Sequence, residues 1–175
     1  MSYERIINDK KFDGLTRESH ELRYRIAAGF CEKDDLVLDA GCGTGYGKDV
    51  IKRRFYVGID KNPPKGDSFI EFNFEKKENE LPIEYLYDVF IGFEIIEHLN
   101  EVGVKNFVKM AKQAQKFILV STPIIRNSNP YHKQQFSPLD ICRLFIDEEW
   151  KPYGTYKEAG IIQNEIYGIF IFKKI

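Results

Sequence analysis

One stretch limits the folds open to this chain more than any other. Asp35-Leu36-Val37-Leu38-Asp39-Ala40 is a short apolar run that stops on Gly41-Cys42-Gly43-Thr44-Gly45-Tyr46-Gly47, and helical character returns from Tyr46 to Arg54. That order reads as strand, tight turn, helix, a unit that brings backbone N–H groups and a helix start against a ligand.

The rest of the chain repeats the alternation. A helix is predicted over 18–30, where Leu22, Ile26 and Phe30 recur every four residues. Further strands are predicted at Phe55–Ile59 ending on Asp60, Ser68–Phe72, Tyr87–Phe93 and Phe117–Ser121, with helices at 102–115 and 138–146. Strands separated by helices imply crossovers and a mostly parallel sheet covered on both faces. Two aromatic segments at the end, 150–157 and 161–172, have no helix between them and should pair antiparallel. The fold expected is a Rossmann-like three-layer α/β sandwich, a mostly parallel seven-stranded sheet with an antiparallel C-terminal strand. At 175 residues the chain reads as one domain, with 1–17 as a flexible or lid segment.

Charge and cysteine usage narrow the function. The 26 basic and 27 acidic side chains leave a net charge of −1, so no global field draws nucleic acid or an anionic membrane. Lys48, Lys52, Arg53 and Arg54 are spaced as the solvated side of a helix. Cys31, Cys42 and Cys142 form no C-x-x-C pair and suit a reducing compartment. With no leader-like N-terminus and no apolar run near the ~18 residues a span needs, a cytoplasmic location is expected.

The glycine loop excludes two common ligands. Counted from Gly41, the last position of G-x-G-x-x-G falls on Tyr46, and counted from Gly43 on Lys48, which disfavours dinucleotides. The phosphate loop fails because Cys42 stands where its first glycine belongs and Asp49 follows Lys48. What remains is D-x-G-x-G-x-G, in which Asp39 would repel a pyrophosphate but suits a cationic ligand. S-adenosylmethionine has a sulfonium, an ammonium and no phosphate. Val37 to Gly47 resembles the first motif of the class I S-adenosylmethionine-dependent methyltransferases, in which this loop wraps the amino acid and ribose of the cofactor. The resemblance covers about residues 18 to 145. Asp60, 19 residues after Gly41 at the end of the second strand, can accept hydrogen bonds from both ribose hydroxyls. The resemblance places Asp39, Gly41, Gly43, Asp60 and its neighbour Lys61 at the cofactor. It places Asn73-Phe74 at adenine, although Asp is commoner than Asn there.

Phe93-Glu94-Ile95-Ile96-Glu97-His98-Leu99 follows the fourth strand, at the carboxyl edge where open α/β sheets bind ligands. It resembles the fourth motif of a subgroup that includes the ubiquinone-biosynthesis O-methyltransferases, which implies that Glu94 lines the cofactor near its transferable methyl. Glu94, Glu97 and His98 at i, i+3 and i+4 could instead face one way and hold a divalent ion. Small-RNA 2'-O-methyltransferases use such a set with a later histidine, here His132, but their histidine-rich segment is reduced to Tyr131-His132-Lys133. Cofactor lining is the reading adopted, and no metal ligand is assigned. Glu97 and His98 could also cap the following helix.

Asn129-Pro130-Tyr131-His132 resembles a segment of methyltransferases acting in polysaccharide and small-metabolite pathways, and Glu21-x-Arg23-Tyr24 their opening helix. That comparison implies that Tyr24 or Arg23 reaches the cofactor carboxylate and that His132 contacts an acceptor hydroxyl. His98 and His132 are the candidate bases, since imidazole takes a proton near neutral pH. The expected activity is methyl transfer from S-adenosylmethionine to a small-molecule or saccharide acceptor at a hydroxyl. A metal-assisted RNA 2'-O-methyltransferase and a non-catalytic cofactor-binding protein are the alternatives. The sequence sets no oligomeric state.

Overall fold

The computed structural model describes residues 14–52, 55–76, 86–125, 130–159 and 166–175. In chain order its elements are α1 (Gly14–Ala28), β1 (Leu36–Ala40), α2 (Tyr46–Ile51), β2 (Phe55–Asp60), β3 (Phe69–Glu71), β4 (Val89–Phe93), a 3-10 turn (Ile96–His98), α3 (Glu101–Ala111), β5 (Phe117–Pro123), α4 (Pro138–Phe145), β6 (Trp150–Ala159) and β7 (Ile166–Lys174). Outside the described residues lie the first 13 positions of the expected lid, Arg53 and Arg54, the charged stretch from residue 77, Asn129, and the start of the last segment at Ile161.

The seven strands form one sheet in the order β3-β2-β1-β4-β5-β7-β6. β1 to β5 run parallel, and β7 lies antiparallel between β5 and β6. This is the α/β sandwich the alternation implied. Its layers follow from the period of two along each strand. Leu38, Phe90, Ile118, Val120, Phe170 and Phe172 point to one face, where they pack with Phe107 of α3 and Phe145 of α4. Val37, Ile91, Leu119, Ile169 and Ile171 point to the other, against Tyr24 and Ala27 of α1 and Ile51 of α2. A central strand covered twice has no polar side to show, and all five residues of β4 are buried.

Several local expectations needed correction. The Leu22–Ile26–Phe30 stripe predicted for α1 holds in part: Ile26 and Phe30 pack against the core, but Leu22 is 44% exposed, and Arg23, Tyr24 and Ala27 are the buried residues. The Tyr24 hydroxyl finds a buried acceptor in the sheet, and this rotates the helix. α2 stops at Ile51, short of Arg54, because Lys52 adopts a left-handed φ of 52° and its N–H bonds back to Lys48. α3 is capped by Asn100, whose side chain accepts from the Gly103 N–H at 2.9 Å, and neither Glu97 nor His98 takes that role. α4 has the expected Ser137 cap with Pro138 at its first position. Among the described residues no helix is long and apolar enough to cross a membrane.

Phe107 is the hinge of the α3 face. It is fully buried, meets Phe74, Phe90 and Phe145 edge-on, and lies so close over Gly92 that a β-carbon there would sit 2.3 Å from its ring. Phe107→Ala should lower unfolding free energy by about 3–5 kcal/mol in urea titrations. A loss under about 1 kcal/mol would show that this packing is not what holds the layer.

Candidate functional site

The order β2-β1-β4 places a topological switch beside β1, where chains leaving adjacent strands diverge and open a crevice at their carboxyl ends. A cavity of about 410 Å³ lies there, walled by the glycine loop, the ends of β2 and β4, the turn after β3 and the segment around Tyr131.

Gly41, Gly43 and Gly45 have φ of 77°, 56° and 79°, so the loop is a run of left-handed positions suited to glycine. A β-carbon at Gly41 would strike Ile95 at 2.6 Å, whereas one at Gly43 would meet nothing within 4 Å. Gly41 is thus a packing glycine, and Gly43 leaves backbone bare on the cavity side. The Gly43 N–H donates to Asp60 Oδ2 at 3.1 Å and the Asn62 N–H to Oδ1 at 2.8 Å. Two backbone donors therefore hold the Asp60 carboxylate at the cavity wall.

Asp39 is placed differently from Asp60. It is fully buried and does not line the cavity. Its carboxylate accepts from Tyr24 at 3.0 Å and from Tyr56, and a β-carbon on Gly47 would come within 2.9 Å of it. Burial pushes its pKa up to about 7 against the pull of the two hydroxyls, with the charge of Asp60 adding to the rise. It shapes the loop from behind, and the notion that it faces a cationic ligand directly is corrected.

Tyr24, Gly41, Gly43, Asp60, Lys61, Asn73, Phe74, Glu94 and His98 all line the cavity. Asn73 spends its side-chain oxygen on the Glu75 N–H at 3.0 Å, closing its own turn. Glu94 adopts a φ of 54°, unusual for a residue with a β-carbon. It accepts from Ser121 at 2.7 Å and lies 3.9 Å from the buried Arg23, whose guanidinium covers the Tyr167 ring. Because the chain turns left-handed at Glu94 and then makes only a short 3-10 turn, the i, i+3, i+4 face expected of a helix does not form.

His132 does not line the cavity. Its ring meets His98 edge-on with centroids 4.8 Å apart. His98 Nδ1 donates to the Tyr131 carbonyl at 3.2 Å, which puts the basic lone pair on Nε2. Glu97 turns inward, 1% exposed, and its pKa is raised by burial and then by the charge of Glu94. Sequence reasoning missed His20, Tyr46 and Phe72 on the wall. His20 stands one helical turn before Tyr24, a spacing that could have found it. Burial, then the Arg23 charge, lowers its pKa to about 3, so it remains neutral.

The chain has the fold of the class I S-adenosylmethionine-dependent methyltransferases, with the glycine loop and the acid after β2 at the switch point. It is similar to a probable S-adenosylmethionine-dependent methyltransferase of Mycobacterium tuberculosis, at 28% identity over 190 aligned positions that cover 97% of this chain. The chain spans 64% of that relative's length. In structure it is similar to the magnesium protoporphyrin IX methyltransferase of Synechocystis with bound S-adenosylhomocysteine: TM-score 0.72, 14% identity, 95% of this chain and 90% of that one. A small RNA methyltransferase aligns with a TM-score of 0.66 and 18% identity, over 99% of this chain and 27% of that one. No family model matches the chain.

The buried Asp39 makes stability depend on pH. Between the ordinary carboxylate range and about pH 7 the folded chain keeps a proton that the unfolded chain has released, so stability falls as pH rises through this window. Raising the pH from about 5 to about 7 should therefore destabilise the wild type relative to Asp39→Asn in urea titrations. A wild type that gains on the variant would mean that the tyrosines stabilise the charged form.

Proposed function

We propose that this chain binds S-adenosylmethionine in the cavity at the β1 switch point and transfers its methyl group to a hydroxyl of a small-molecule or saccharide acceptor. The observation that carries the reading is the Asp60 carboxylate, held by the glycine loop's own N–H and facing the same cavity as the bare backbone of Gly43. A carboxylate fixed in that way accepts from vicinal hydroxyls, as a ribose presents them. Phe72 and Phe74, packed edge-on at 4.9 Å, offer an apolar wall for a planar base. Glu94 supplies negative charge at the far end, where cationic groups of the cofactor's amino acid part would lie. The relative in Mycobacterium tuberculosis and the fold support the cofactor and the reaction type, and the acceptor class rests on the site alone.

When bound, the cofactor would supply a methyl carbon on a sulfonium, activated for in-line attack by the acceptor oxygen with the sulfur as leaving group, and Gly43, Asp60 and Glu94 would hold it. The chain's part is to align the two and exclude water. His98, whose Nδ1 donates to the Tyr131 carbonyl and so leaves Nε2 as the unprotonated nitrogen, is the candidate to receive the acceptor proton, with the His132 ring packed against it. The balanced charge of the chain supports a small acceptor over a nucleic acid.

Incubation with methyl-labelled S-adenosylmethionine and panels of hydroxylated metabolites, saccharides and short RNAs tests this. Label should enter a metabolite or saccharide, and His98→Ala should lower kcat by about 100-fold or more. Label entering RNA alone would refute the acceptor class.

A further inference from the structure

We infer that Arg23, buried behind the cavity wall, is a positioning residue that makes the Glu94 end of the cavity a subsite for a zwitterion, with Glu94 as acceptor and His20 as donor. The Arg23 side chain is 1% exposed and does not line the cavity, whereas His20 and Glu94 both do. Its Nη1 lies 3.2 Å from His20 Nδ1 and 3.9 Å from Glu94 Oε1, and its guanidinium covers the Tyr167 ring at 4.4 Å. One planar cation therefore bears on α1, on the turn after β4 and on β7 at once.

The contact with His20 sets that ring's tautomer. A guanidinium only donates, so Nδ1 accepts and the ring's one N–H is Nε2. Burial and then the Arg23 charge lower the ring's pKa to about 3, so it stays a neutral donor through the neutral range. Glu94 is fixed by a second set of contacts. Its Oε1 accepts from Ser121 at 2.7 Å and lies against Arg23, and the backbone holds it at a φ of 54°.

Arg23 and Glu94 together carry no net charge, so this wall favours a ligand end that is neutral overall yet has both signs. A lone ammonium would satisfy Glu94 and give the His20 N–H nothing to donate to. A lone carboxylate would meet Glu94 as a like charge. An α-amino acid group suits donor and acceptor together. The two residues of α1 that the resemblance put at a carboxylate are engaged elsewhere: Arg23 stands behind the wall, and the Tyr24 hydroxyl donates to Asp39. The inference rests on the proposed cofactor and adds the residues that select its amino acid end.

Calorimetry with S-adenosylhomocysteine and with its decarboxylated analogue, which keeps the ammonium, tests the subsite. Wild type should prefer the zwitterion about tenfold or more. His20→Ala should lose that preference while binding the analogue within about twofold of wild type. His20→Gln, whose amide can accept from Arg23 and donate to the ligand, should keep most of it. Arg23→Lys should lose it as His20→Ala does, since an ammonium on a flexible stem does not hold ring and carboxylate together; if that variant does not fold, the His20 variants decide. Equal weakening of both ligands in His20→Ala, or an undiminished preference, would overturn the subsite. Wild type that binds neither ligand would refute the cofactor itself, whereas wild type that binds both without preference would refute this inference alone.

Discussion

The buried carboxylate of Asp39 accepts from two tyrosine hydroxyls, Tyr24 on α1 and Tyr56 on β2, and through them these two elements are fastened to the end of β1. This link sets the rotation of α1, and with it the cavity wall that Tyr24 provides. The loop runs directly over it: the absence of a β-carbon at Gly47 is what lets α2 start against the carboxylate and the Tyr24 ring. Removing Asp39's charge from solvent is tolerable only because the two hydroxyls replace water. Asp60, by contrast, accepts from the backbone N–H groups of Gly43 and Asn62 and lines the cavity. The two acids thus divide the work, one shaping the loop and one meeting what the loop holds.

The opposite end of the cavity is built on the left-handed turn at Glu94. It sends Glu97 inward, and the segment after β5 is strapped over it by backbone bonds and by the Lys133–Glu75 ion pair at 2.6 Å. Glu75 also accepts from the Asn100 N–H at the start of α3, so one carboxylate joins the turn after β3, the α3 cap and the outer segment.

Much of the fold was legible because strand runs and glycine turns are local signals. The parallel sheet, the antiparallel tail, the loop and Asp60 all follow from spacing along the chain. What was illegible depends on which face a helix buries. The apolar stripe of α1 found Ile26 and Phe30 but also named Leu22, which is exposed, and it missed Tyr24, buried through a polar contact with Asp39, 15 residues on. Helical spacing likewise grouped Glu94 with Glu97 and His98, and a single positive φ separated them. Asp39 was readable as an acid of the loop, but its burial behind the glycines was not, because that depends on Tyr56 arriving from the neighbouring strand.

The cavity's ligand is tested most directly, and without an acceptor, by calorimetric titration with S-adenosylhomocysteine. Wild type should bind one molecule per chain, and Asp60→Ala, with its fold verified by circular dichroism, should bind about tenfold or more weakly. No heat of binding from wild type at millimolar ligand, or equal affinity in the variant, would contradict it.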